Sequence, residues 1–235
     1  MKRPIRVLHF TSLLVGSAYF NNLQDYTDAD KVRYVFATFT RKGEWSEQLE
    51  ERGATVYNLS VTKKNEVISW LDLMKAWTPL LKILEREEID ILHSHLHFPT
   101  LLGVRAAKSV NKKSIFTRHH SDAIHVLRSK IKRSLYLKTE KYINRNSDHI
   151  IAPSRTVRDI LIETEGVPVE KVSLIPYGQT FERFANITPE LVARKRKELG
   201  MNRQFSIACI SRLFYTKGHV YLFEAIERLI GKGLE

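Results

Sequence analysis

The chain has 235 residues, 43% of them hydrophobic, and a formal net charge of +12. That length and apolar content support one large domain, or one domain and part of another, and exclude a disordered chain. No run approaches the roughly 18 apolar residues of a membrane-spanning helix, and the charge favours anionic partners: nucleic acid, phosphorylated metabolites or anionic lipid.

The N-terminal "MKRPIRVLHFTS" reads as a first strand over residues 5–10, not as a signal peptide. A polar loop follows, then β-rich "RYVFATF" (33–39) and "TVYNLSV" (55–61) after the turn at Gly53. Residues 67–87 repeat apolar positions at threes and fours, which predicts a helix, with a break or kink near Thr78 imposed by Pro79. "IDILHSH" (89–95) reads as a strand, "PTLLGVRAAKSV" (99–110) as a helix begun by proline, and "SIFTRHH" as a strand. A long basic helix covers 127–144. "DHIIAPS" is a strand, "SRTVRDILIET" a helix capped by Ser154, and "KVSLIPYG" a strand.

Strands alternating with helices imply an α/β fold: a Rossmann-like parallel sheet with helices on both faces. Ligands of such sheets bind beyond the carboxyl ends of the strands. The polar residues fall there: Gly16 and Ser17 after the first strand, His93 to His97 after a middle one, Thr117 to Asp122 after the next, then Ser154 and Gly178. A domain boundary is expected between residues 178 and 203, giving a Rossmann-like domain over 1–186. Residues 187–235 then hold a connector helix, "PELVARKRKELG", and the first strand–helix unit of a second Rossmann-like domain, its strand being "FSIACIS". The only cysteine, Cys209, lies in that apolar run and reads as a small buried hydrophobe, and a chain without disulfides suits a reducing cytosol.

In "ISRLFYTKGHVYLFEAI" the strand delivers Arg212, and Lys217 and Gly218 stand where the next helix begins. Two cations beside free helix N–H groups suit a phosphate dianion, and Gly218 allows close backbone approach. His93, His95 and His97 alternate and would share one side of a strand, where a metal site is weighed against histidines lining a cleft; the latter is favoured, with no metal expected. His119 and His120 sit just past a strand with Asp122 close by, which raises a general base as one reading. On the basic helix Ile131, Leu135 and Tyr142 share a face, and Arg128, Lys130, Lys132 and Arg133 lead its cations. This is either a solvated amphipathic face or a docking face for anionic lipid headgroups.

These segments resemble glycosyltransferase family 4, retaining enzymes of GT-B fold. "SRLFYTKGHVYLFEAI" is similar to the family's G-R-L-x-x-x-K-G-x-x-x-L-x-x-A motif, with Ser211 in place of the first glycine. "KVSLIPYGQTFERF" resembles the interdomain stretch V-I-P-N/Y-G-V-D-x-x-x-F, with Thr180 where the aspartate usually stands. "DILHSHLHFPTLLG", "IFTRHH" and "DHIIAPS" resemble the N-terminal domain. The resemblance implies that a sugar passes from a nucleotide diphosphate sugar to a hydroxyl acceptor, a glycan or a lipid-linked one, with no metal or other cofactor. It implies that Arg212 and Lys217 hold the donor diphosphate, with Gly218 and Gly16 beside them, and that His119 lies near the transferred sugar. Ser17, His95, His97, His120, Ser154 and Gly178 would line the acceptor or sugar cleft. The family also carries an E-x7-E pair, for which Glu224 and Glu227 have the wrong spacing. The chain is therefore expected to be the acceptor domain plus the start of the donor domain, with little activity alone, at the cytoplasmic side of a membrane or in the cytosol. A related GT-B nucleotide-sugar epimerase is the nearest alternative, against which "SRLxxxKG" argues. A basic nucleic-acid binder is the other, without a recognition motif to support it.

Overall fold

The computed structural model describes residues 3–12, 18–40, 43–61, 70–119, 129–201 and 206–233. It divides into two compact units, 1–180 and 181–235. In the first, short runs rich in Val, Ile and Phe form strands, and the inner ones are buried from both sides over most of their length, as inner strands of a parallel sheet are. The elements are β1 (Ile5–Thr11), α1 (Ala18–Tyr26), β2 (Val32–Thr38), α2 (Glu44–Glu51), β3 (Thr55–Asn58), α3 (Trp70–Arg86), β4 (Ile91–His95) and α4 (His97–Ser109). Then come β5 (Lys113–Thr117), α5 (Lys130–Asn146), β6 (His149–Ala152), α6 (Arg155–Asp159), a π-helical turn (Ile160–Thr164) and β7 (Val172–Leu174).

The seven strands form one sheet in the order β3-β2-β1-β4-β5-β6-β7, every pair parallel. The chain begins in the middle, steps outward through β2 and β3, then crosses back to β4. The order therefore reverses between β1 and β4, and all carboxyl ends meet on one edge there. Alternation along β1 sorts the two faces. Leu8 and Phe10 join the larger core with Leu73, Leu80, Leu84, Leu92, Phe116 and Ile150. His9 turns to the opposite face, where its ring meets Phe20 and Phe36.

Two helices stand where the sequence reading places none. Helices α1 and α2 are short and polar, but Phe20, Trp45 and Leu49 bury against Phe36 as a second core. Their few apolar anchors fall below what periodicity reveals in so short a window. The expected break at Pro79 does not occur, for α3 continues through it. Proline removes the N–H that would bond the Lys75 carbonyl, and Lys75 is exposed, where water can take that role. Leu73, Ala76, Leu80, Ile83 and Leu84 fasten both halves of the helix to the sheet. Helix α4 crosses β4 so closely that a Cβ on Gly103 would lie 2.3 Å from Ser94 Oγ and 2.7 Å from Leu92 Cδ2, so only glycine fits without a shift.

In the second unit α7 (Pro189–Glu198) starts as the sequence implies, with Pro189 first and the Thr188 hydroxyl accepting from the Leu191 N–H at 3.3 Å. Gly200 follows it in the left-handed region, at φ 67°. The expected strand over 205–211 is a correction: residues 206–210 are described and pair with no strand. Ile210 is 96% exposed and Cys209 is exposed, so Cys209 is not the buried hydrophobe anticipated. Apolar residues bury only where a paired sheet and a second layer enclose them, and no described strand of this unit lies beside these. The helix α8 (His219–Ile230) forms as expected after a 3-10 turn at Tyr215–Lys217.

Candidate functional site

Four rings stand in a row at the carboxyl edge of the first unit. His9 Nδ1 lies 2.9 Å from His95 Nε2. His95 Nδ1 lies 2.9 Å from His119 Nε2, and His119 Nδ1 lies 2.5 Å from the Tyr177 hydroxyl. Register explains the inner part: β1 pairs with β4 so that His9 sits beside His93, and β4 with β5 so that His95 sits beside Thr117. His93 Nε2 meets the Thr117 hydroxyl at 2.8 Å, and Tyr19 hydrogen-bonds with Thr117 in turn. The outer end is fixed by stacking of Tyr177 on His119, with ring planes 11° apart, and by the Asn22 amide donating to the Gly178 carbonyl at 3.1 Å.

Burial governs the protonation of this row. It pushes His9 down to about 3. It also holds His93 and His95 well below the ordinary imidazole range, helped by the neighbouring histidines. All three are neutral at pH 7. Burial raises the Tyr19 phenol to about 12 and raises Tyr177 as well. His9, His93 and His95 offer nitrogens within 4.8 Å of one another, the one such cluster among the described residues. They suit a metal poorly. His9 Nδ1, His93 Nε2 and both nitrogens of His95 are already engaged in hydrogen bonds, which a metal would have to displace.

His97 does not belong to this row, which corrects the expectation that His93, His95 and His97 share a face. Leu96 between them has φ 68° and ψ 165°, a backbone region nearly reserved for glycine. That twist ends β4, starts α4, and turns His97 to the opposite side of the sheet edge. There His97 Nδ1 meets Glu140 Oε1 at 2.6 Å and the Thr139 hydroxyl meets its Nε2 at 3.0 Å. Arg118 pairs with Glu140 and, at 2.9 Å, with Glu165, and the Asn144 amide donates to Glu165 at 2.7 Å. This network locks the residue before His119 to α4, α5 and the end of the π-helical turn.

Of the remaining expected residues, Ser154 caps α6, its hydroxyl accepting from the Val157 N–H at 3.3 Å, so its oxygen serves the fold. Gly178 contributes its carbonyl to Asn22, and nothing within 4 Å requires it to be glycine. Gly16, Ser17, His120 and Arg128 lie outside the described residues. On α5, Lys130, Lys138, Lys141 and Arg145 are exposed, and so are Ile131, Leu135 and Tyr142. Arg133 is half-buried, and Lys132 lies on the same helix. The buried side holds Ile143, Asn144 and Glu140, the only acid of the helix.

In the second unit Arg212 and Lys217 are exposed and form no salt bridge among the described residues. The Arg212 guanidinium lies over the Phe214 ring at 5.6 Å. Lys217 ends the 3-10 turn, and Gly218, at φ 71°, caps α8. The Ser211 hydroxyl meets His219 Nε2 at 3.0 Å, tying the arginine's loop to the helix start. Lys217 and Gly218 thus stand at one helix N-terminus with Arg212 on the loop tied to it, residue types that suit a phosphate dianion.

The sequence reading missed His9, Tyr19 and Tyr177. The signal for His9 was available: "VLHF" and "ILHSH" both place a histidine just before the end of an inner strand. Parallel pairing in register brings such residues side by side.

A sequence model of the family described as Glycosyltransferase Family 4 matches residues 18–183. An Escherichia coli UDP-Gal:alpha-D-GlcNAc-diphosphoundecaprenol alpha-1,3-galactosyltransferase is 28% identical over 168 residues, 71% of this chain and 43% of that protein. The Staphylococcus aureus capsular polysaccharide biosynthesis glycosyltransferase CapH is 24% identical over 83% of this chain and 49% of its own length. The chain therefore spans less than half of these two relatives. Among solved structures, Anabaena HepE in complex with UDP and glucose aligns with a TM-score of 0.72 and 16% identity, over 95% of this chain and 58% of that one.

Proposed function

This chain belongs to glycosyltransferase family 4, and from that premise we propose that its protein transfers a sugar from a nucleotide diphosphate sugar to a hydroxyl of a glycan or lipid-linked acceptor. The observation that carries the reading is the family match over residues 18–183, most of the first unit. The turn at Arg212, Lys217 and Gly218 supports it, since fixed cations at a helix start stabilise a departing diphosphate as its charge grows. Tyr177, hydrogen-bonded to His119 at the sheet edge, supplies a polar atom for the sugar or acceptor. We assign a hexose as the transferred sugar, with retention of anomeric configuration.

The experiment is a panel of nucleotide diphosphate sugars incubated with the complete gene product, scored by nucleotide release. UDP-galactose comes first, because a relative's name carries it. Release above the hydrolytic background for one donor is expected. A retained α-anomer, seen by proton NMR of the product, tests the stereochemistry. No release from any donor with glycan and polyprenyl diphosphate acceptors present would refute the reading.

We also propose that the outward face of α5 rests on anionic headgroups at the cytoplasmic face of a membrane. Its exposed Lys138, Lys141 and Arg145 flank the exposed Ile131, Leu135 and Tyr142, the composition of an interfacial helix. No described helix is long and apolar enough to cross a membrane. Co-flotation with vesicles containing phosphatidylglycerol is expected, and Lys138→Glu with Lys141→Glu should abolish it. Equal flotation with purely zwitterionic vesicles would remove the electrostatic basis.

A further inference from the structure

The row His9–His95–His119–Tyr177 has a direction. A neutral imidazole donates from one nitrogen and accepts at the other, so the state of one end fixes every ring along the row. The inner end is His9 Nε2, which is buried and has no hydrogen-bond partner among the described residues. It is enclosed by Phe20, Tyr34 and Phe36. An orphaned N–H in a protein interior is rarer than an orphaned lone pair, so the inner nitrogen carries the lone pair. His9 then holds its proton on Nδ1 and donates it to His95 Nε2. His95 donates from Nδ1 to His119 Nε2, and His119 from Nδ1 to the Tyr177 oxygen. The proton of Tyr177 is not consumed by the row.

We propose that His9 and His95 are positioning residues that hold His119 as its Nδ1–H tautomer, leaving the Tyr177 hydroxyl to donate a hydrogen bond to an oxygen of the carbohydrate bound at the strand ends. The identity of the ligand rests on the transferase reading; the tautomer rests on geometry alone. Both ring nitrogens of His119 are engaged within the row, so Tyr177 presents its outward polar atom. Tyr177 is suited to this. It is 39% exposed, whereas His9 is 2% and His95 1% exposed, so the row runs from the core to the surface. Burial keeps the inner rings neutral, as a directional row requires. The aromatic packing of Tyr19 against both His119 and Tyr177 holds the outer pair edge-on and restricts its rotation.

Long-range proton–nitrogen correlation spectra of this chain, labelled at histidine and recorded at pH 7.5, read the tautomers directly. Nδ1–H is expected on His9, His95 and His119. In His9→Phe, which keeps an aromatic ring, His95 Nε2 loses its donor, and the His119 signals should move toward an average of both tautomers. Nε2–H on His95 or His119 in the unsubstituted chain would overturn the proposal, as would His119 signals unmoved by His9→Phe. For the ligand, Tyr177→Phe in the complete gene product is expected to raise KM for one carbohydrate substrate by about 3- to 10-fold, the effect of one hydrogen bond, with kcat little changed. Unchanged KM for donor and acceptor would overturn the role of Tyr177. The spectra read protons and not turnover. Correct tautomers in a protein that transfers no sugar would therefore refute the transferase reading and leave the row intact.

Discussion

Arg118→Met is expected to destabilise the first unit by about 3–5 kcal/mol at pH 7, the range for removing one member of a buried charge network. Arg118 is 11% exposed at the side chain, and its two carboxylate partners, Glu140 and Glu165, are 10% and 9% exposed. Methionine fills much of the same volume, so the loss is electrostatic: two buried carboxylates keep their desolvation cost without the cation between them. Burial by itself pushes the Glu140 carboxyl up. The hydrogen bond from His97 and the charge of Arg118 outweigh it and hold the group below its ordinary value of 4.5. A depressed carboxylate contributes stability that is present above its unfolded value and lost as pH falls through the folded one. The unsubstituted chain should therefore lose stability on acidification below about pH 4.5, and the gap between it and Arg118→Met should narrow there. Urea unfolding followed by tryptophan fluorescence reads this unit selectively, since Trp45, Trp70 and Trp77 all lie within it. Adding Glu140→Gln and Glu165→Gln to Arg118→Met should recover part of the loss, because no uncompensated charge remains. A loss under about 1 kcal/mol, typical of an exposed pair, would show that water reaches the network.

Arg118 shows what a linear reading finds and what it cannot. The order of strands and helices was legible because apolar runs and turns recur along the chain, and a parallel sheet follows from alternation. The strand-end rule then led to His95, His119 and Gly178, which do lie along one edge. Pairing across the sheet was not legible, and the chemistry depends on it. His9 meets His95 over a separation of 86 residues, and His119 meets Tyr177 over 58. The alternation of His93, His95 and His97 misled because a single residue, Leu96, leaves the extended region and ends the strand. Glu140 is the single acid of a basic helix, yet it is the helix's buried anchor, and only the position of Arg118 just past the end of β5 makes that reasonable. In the second unit the helix was legible from capping and periodicity. The strand before it failed because a strand exists only with a neighbour.

Alanine at Arg212 and at Lys217 is expected to lower kcat of the complete gene product by about 10²–10³-fold each, the effect of removing one preorganised group from a site of developing charge. The two should differ in how they fail. A guanidinium can hold two diphosphate oxygens at once, so Arg212→Lys keeps the charge but loses the fork and should recover little. An ammonium acts as a point charge, so Lys217→Arg should recover more where space allows. Both side chains are exposed and free of salt bridges among the described residues, so their substitution should leave the unfolding transition of the chain almost unchanged. Loss of turnover then reports on charge and not on folding. Gly218→Ala separates backbone from charge. Among the described residues an added Cβ would meet only Tyr221 Cδ2, at 3.8 Å, so the penalty is the left-handed backbone at φ 71°, about 1–2 kcal/mol. That penalty should loosen the helix start and weaken donor binding while both cations remain. If nucleotide release persists at full rate in Arg212→Ala and Lys217→Ala alike, the diphosphate is held elsewhere. The turn before α8 would then be only the way one helix begins.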